Sequence, residues 1–134
     1  MTKSISKVLE EVRAAMVSFT DAKVTVGTPV DSEPGLYLFA YKFLEDVISR
    51  NVAASSARGY VLHGLLMPHP PNDNALLDAG LRCLRERPLL ASDESKIVVA
   101  MTSLSTEELT RIFDSAGVRL RLAIPFELKW TVNG

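Results

Sequence analysis

From Val118 to Val132 apolar and polar residues alternate without a break. Val118, Leu120, Leu122, Ile124, Phe126, Leu128, Trp130 and Val132 fall on one side; Arg119, Arg121, Ala123, Pro125, Glu127, Lys129 and Thr131 fall on the other. Eight apolar residues at period two predict a strand with one buried face. Just before it, Leu104-Ser105-Thr106-Glu107-Glu108-Leu109 has the spacing of a capping box, Ser105 with Glu108, and Leu104 and Leu109 stand at the staple positions. Leu109, Ile112 and Phe113 then form one stripe of a short helix, and Gly117 can end it in the left-handed conformation.

The same reading covers the rest of the chain. Ile5, Val8, Leu9, Val12, Met16 and Phe19 recur at helical spacing, which predicts a helix over residues 4–19 with Ser4 as its N-cap. Val24 and Val26 alternate with Lys23 and Thr25 as a short strand. Residues 27–35 are rich in turn formers and read as a loop. Leu36 to Leu44 is apolar on both faces, as in a strand covered on two sides; a buried helix is the competing assignment, and the aromatics favour the strand.

Residues 45–58 are ambiguous, and the small polar run from Asn51 to Ala57 reads as a mobile loop. Tyr60 to Met67 predicts a central strand stopped by Pro68. Asp73 or Asn74 caps a helix carrying Leu76, Leu77, Leu81 and Leu84, with Gly80 permitting close packing. That helix ends among Arg82, Arg85 and Arg87, before Pro88. Lys96 to Met101 is a further strand. The order α-β-β-β-α-β-α-β predicts an α+β fold: a mostly antiparallel or mixed sheet of about five strands with about three helices packed on it.

Length and composition narrow the function. The chain has 134 residues, one domain over 1–134 by the usual size prior. It is 47% hydrophobic and 23% charged, with a formal net charge of −1, which argues against a generic binder of nucleic acid or anionic membrane. One cysteine, Cys83, leaves no intrachain disulfide and gives no sign of an oxidising compartment. No signal core and no apolar run long enough to span a membrane is present, so the default location is cytoplasmic.

Candidate chemistry is sparse. His63, His69, Asp73 and Cys83 match no metal-ligand or nucleophile spacing, and their incidental placement is the simpler account. No glycine-rich phosphate loop and no Gly-x-Ser-x-Gly elbow occurs. Glu107 and Glu108 are accounted for by a helix N-terminus. The polar side of the last strand says more. Pro125 cannot donate to a ladder, which places it on an edge or at a bulge, and charges there blunt the edge or meet another chain.

Two blocks carry a resemblance. One is Gly59-Tyr60-Val61-Leu62-His63-Gly64-Leu65-Leu66-Met67-Pro68 with the Leu76-Leu77…Leu81-Arg82-Cys83-Leu84…Arg87-Pro88-Leu89-Leu90 helix after it. The other is Ile97 to Met101, the Leu104–Phe113 helix start and the alternating strand. Together they resemble the small cap, or tail-terminator, proteins of contractile injection systems. Phe113 stands where that family commonly has a tryptophan, and Ser49-Arg50-Asn51 only approximates its leucine-arginine-asparagine segment.

The resemblance implies a six-fold ring of identical subunits on the distal end of the inner tube and the contractile sheath. Such a ring halts polymerisation and locks the last sheath layer. The implied partners are further copies of the chain (a homohexamer), the sheath protein and the inner tube protein, assembled from the cytoplasm into the particle. It implies no cofactor, metal or reaction. The expected contact residues are Arg50, Asn51 and Arg58 in the loop after the second strand, and Arg119, Arg121, Glu127 and Lys129 on the last strand. The alternative is a small ligand-binding or regulatory module without enzymatic activity, with Tyr37, Phe39 and Tyr60 lining a pocket.

Overall fold

A computed structural model describes residues 5–29, 33–46, 57–86, 89–92 and 95–133. Helix α1 runs over Ile5–Thr20 and strand β1 over Val24–Val26. The long strands β2, Gly35–Asp46, and β3, Ala57–His69, follow. Helix α2 (Asn74–Glu86), strands β4 (Leu89–Ser92) and β5 (Ser95–Met101), helix α3 (Thr106–Ala116) and strand β6 (Ile124–Asn133) complete the described elements. The strands form one mixed sheet in the order β1-β2-β3-β6-β5-β4. Only β1 and β2 pair in parallel; the other pairings are antiparallel. The α+β architecture expected from the sequence is the one found, with the short β4 as an addition to the anticipated strands.

Each helix is where its apolar stripe demands. Val8, Leu9, Val12, Ala15 and Met16 of α1 are buried, as are Leu77, Gly80, Cys83 and Leu84 of α2. Both stripes join one core with Leu36, Leu38, Leu62, Leu66, Phe126, Leu128 and Trp130 from the same face of the sheet. A Cβ on Gly80 would lie 2.8 Å from Leu66 Cδ2 and 3.1 Å from Leu36 Cδ1, so its missing side chain is what lets α2 sit this close to the strands. Asp73 is the cap: the Leu76 amide donates to Asp73 Oδ1 at 3.1 Å.

Helix α3 lies on the opposite face over a second, smaller core of Leu65, Met67, Phe113 and Val118. Its capping box is complete. The Glu108 amide donates to Ser105 Oγ, and the Ser105 amide donates to Glu108 Oε1, both at 3.0 Å. Gly117 ends the helix at φ 70°. The Ser105 amide holds the Glu108 carboxyl below the usual carboxylate range. That contribution is therefore present at neutral pH and lost as pH falls through the folded-state value. Ser105→Ala is expected to cost about 1 kcal/mol and to flatten this acid dependence, measured by urea unfolding at several pH values.

The final strand departs from expectation. It begins at Ile124, not Val118, and Leu120 and Leu122 are 59% and 61% exposed. The chain leaves α3 above the sheet and uses residues 118–123 to descend to it. Nor is β6 an edge: it lies between β3 and β5. Pro125 is tolerated for a local reason. The Thr102 amide donates to the Pro125 carbonyl at 3.3 Å, so the proline nitrogen turns to that same side, where β5 has already ended at Met101.

Other boundaries moved less. The strand expected over 36–44 reaches Asp46, and only its start is covered on both faces. Leu36, Tyr37 and Leu38 are buried, while Phe43 and Leu44 are exposed. Ser4, Arg87, Pro88 and residues 51–56 of the expected loop lie outside the described residues, and Ala57 belongs to β3.

Candidate functional site

The two faces of the sheet are covered unequally. On the α3 side, the helix shields Leu65, Met67 and their neighbours. The register then places Leu44 opposite Val61, Val61 opposite Lys129, and Lys129 opposite Val98. Directly paired residues share a face, so these four form one row across β2, β3, β6 and β5. In that row Leu44 is 44%, Val98 58% and the Lys129 side chain 48% exposed. The next row, between the bare strip and α3, holds Lys42, His63, Glu127 and Ala100. A bulge between Ala40 and Lys42 lets Tyr41 as well as Lys42 face this side.

Glu127, in this second row, links the two rows electrostatically. Its Oε1 lies 3.5 Å from His63 Nδ1 and its Oε2 3.6 Å from Lys129 Nζ. Burial, then the Glu108 and Glu127 carboxylates, raise the Tyr41 hydroxyl above its ordinary pKa. A cleft of about 430 Å³ opens between strip and helix, lined among others by Tyr41, His63, Leu104, Glu108 and Glu127. Thr102 also lines it, with a buried Oγ1 that has no hydrogen-bond partner among the described residues. A second groove, of about 480 Å³, shares Tyr41, Arg111 and Ile112 with this cleft and extends past Phe39, Ser115 and Ala116.

The expected contact residues are divided by this geometry. Lys129 lies on the bare strip and Glu127 in the row beside it, their side chains 3.6 Å apart. Arg119 is exposed on the 118–123 segment. Arg121 turns inward: its Nη1 donates to the Pro68 carbonyl at 3.1 Å and lies 3.4 Å from His69 Nδ1, and its Nε donates to the Arg119 carbonyl at 3.3 Å. Burial lowers the pKa of its guanidinium. Arg121 therefore fastens the segment to the end of β3. Arg58 lies in β3 opposite Val132, while Arg50 and Asn51 lie outside the described residues. Leu44 and Val98, exposed beside Lys129, were missed; only the strand register, which no single stretch encodes, puts them in one row.

The chemical alternatives do not assemble. His63 faces the α3 side, whereas Cys83 is buried in the core under α1 and α2. Among the described residues no group of three or more His, Cys, Asp or Glu is placed to hold a metal ion. Tyr37 and Phe39 pair with Met67 and Leu65 on the α3 side, and the Tyr37 hydroxyl donates to the Glu33 carbonyl at 2.8 Å. Tyr60 is on the other face, stacked on Phe43 at 5.4 Å and next to Trp130 at 5.9 Å. The three tyrosine and phenylalanine positions expected to line one pocket thus do not meet. No helix among the described residues is long and apolar enough to cross a membrane.

No protein-family model matches the chain, and no curated protein matches it in sequence. Solved structures do match it in fold. One is the PVC sheath/tube terminator of an extracellular contractile injection system in the extended state, with a TM-score of 0.73 and 16% identity over 100% of this chain and 58% of that one. Another is the tube-terminating cap of the anti-feeding prophage, with a TM-score of 0.76 and 14% identity over 98% of this chain and 55% of that one. This chain thus spans little more than half the length of either. It has the fold of contractile-injection-system terminators, the group that its sequence blocks resemble.

Proposed function

We propose that this protein is a structural cap that forms a ring, six-fold by the resemblance, on the distal end of the inner tube and contractile sheath. There it ends polymerisation and locks the last sheath layer, without catalysis or cofactor. The likeness in fold to two terminators over essentially the whole chain carries the reading. The bare strip of the sheet supports it. A row of Leu44, Val61, Lys129 and Val98, three of them apolar and three exposed, is the kind of surface that a neighbouring subunit or the sheath protein covers. The chain is made in the cytoplasm and leaves it within the particle.

The test is reconstitution. Purified protein added to polymerising tube and sheath proteins should shorten the filaments and decorate one end, seen by electron microscopy. Lys129→Glu adds a second acid beside Glu127 on an exposed surface. It should weaken end binding by about tenfold while leaving the unfolding midpoint near that of the wild type. A protein that stays monomeric with filaments present, and leaves their lengths unchanged, would sink the reading.

A further inference from the structure

We propose that the 118–123 segment of one copy adds as a strand to the free edge of β1 in the next copy. This rests on the ring reading above and specifies the contact that joins its subunits. Two lengths of backbone without a backbone partner on one side, among the described residues, motivate it; the Arg119 carbonyl in the segment accepts only from the Arg121 side chain. In β1, the Lys23 carbonyl accepts from the Leu36 amide at 2.9 Å, and the Gly27 amide donates to the Leu38 carbonyl at 2.8 Å. Odd-numbered residues therefore turn their backbone groups to β2. Val24 and Val26, between them, turn theirs outward, where the sheet ends. Val26 is also 42% exposed.

The segment is the complement. The Val118 amide still donates to the Phe113 carbonyl at 3.0 Å, but residues 119–122 make no backbone–backbone hydrogen bond among the described residues. Leu120 and Leu122 are the most exposed large apolar side chains described, and they stand two apart, as the side chains on one face of a strand do. Arg121, bonded to the Pro68 carbonyl, holds the segment against its own subunit, so less freedom is lost when a partner strand adds.

Charge selects a second copy as the occupant. Arg119 is exposed on the segment, and the exposed Asp21 precedes β1; among the described residues, Lys23 and Glu33 near that edge already pair with each other. Edge and segment are different surfaces of one subunit. Joining them is a heterologous contact, which propagates around a ring; a two-fold dimer would leave one of each unused.

Engineered cysteines test the contact, because the single native thiol, Cys83, is buried. Paired strand positions lie within disulfide reach. Val26→Cys protein mixed with Leu120→Cys or Leu122→Cys protein, with tube and sheath proteins present, should give a disulfide-linked dimer that neither variant gives alone. Val26→Pro removes the outward-facing amide hydrogen at a position whose side chain is 42% exposed and whose backbone groups do not bond β2. It should leave thermal unfolding near that of the wild type and reduce self-association at least about tenfold by sedimentation. Rings that form normally with Val26→Pro, together with no cross-link at either leucine, overturn the strand contact and leave the cap reading standing. A wild-type chain that neither self-associates nor caps removes both.

Discussion

Phe113→Ala is expected to lower the unfolding free energy by about 3–5 kcal/mol, the usual cost of emptying a buried phenylalanine site. Phe113 is 2% exposed, and the core beneath α3 contains few other fully buried side chains: Leu65, Met67 and Val118. Phe113 is also the one fully buried residue of α3 itself. The remaining apolar contacts of the helix, from Leu109, Ile112 and Ala116, are only partly buried and cannot replace it. The loss should therefore be local as well as global. Amide exchange in α3 should accelerate beyond what the global destabilisation explains, while exchange in α1 and α2 tracks it. Guanidinium unfolding together with residue-resolved exchange measures both. A cost below about 1 kcal/mol, with α3 still protected, would mean that the helix is not anchored by this ring.

Gly35→Ala should be nearly as damaging, for a backbone reason. Gly35 opens β2 at φ 151°, and an added Cβ would lie 2.5 Å from the Lys23 carbonyl oxygen. That oxygen already accepts from the Leu36 amide, so it cannot retreat without weakening the first of the bonds that hold β1 to β2. Backbone strain and the clash together predict a loss of roughly 3 kcal/mol or more, or about 10 °C in thermal midpoint. Gly27→Ala is the control. Its φ is 135°, but nothing lies within 4 Å of the added atom, so strain acts there without a clash. Thermal unfolding of the two variants side by side should show Gly35→Ala clearly the worse, with the Gly27 amide losing its protection from exchange.

What the sequence revealed, and what it hid, follows from the range of each interaction. The α3 motif was legible because all its determinants lie within a few residues: Ser105 with Glu108 at the start, Gly117 at the end, the stripe between. Asp73 was legible for the same reason, as one of two candidate caps, whereas Gly80 stood out only as a poor helix former inside a helix and its neighbours Leu66 and Leu36 are far away in the chain. Strand β4 was not, since four residues after a proline are too few to show a period. The alternation through 118–132 was real but could not say where pairing begins. Leu120 and Leu122 repeat the pattern of Leu128 and Trp130, yet β3 pairs with β6 only as far as Ile124. Past that point Arg121 takes the inward position and the leucines are left in solvent. The position of Pro125 in the middle of the sheet was hidden too, because it depends on β5 stopping at Met101 in a distant part of the chain. Of the candidate surface, Glu127 and Lys129 were found as polar members of a half-buried strand; Leu44 and Val98 needed the neighbouring strands to bring them alongside.

The place of β6 also governs the order of events at the ribosome. Strands β1, β2 and β3 can associate as they emerge, and β4 with β5 can form a separate hairpin. Neither half can join the other until residues 124–133 slot between them, since β3 and β5 have no pairing except through β6. A nascent chain therefore shows two incomplete half-sheets with raw edges until its last described strand is free. Translation that stalls before residue 124 would release a sticky, unclosed intermediate, and one that runs through residue 133 lets the two halves join into one sheet.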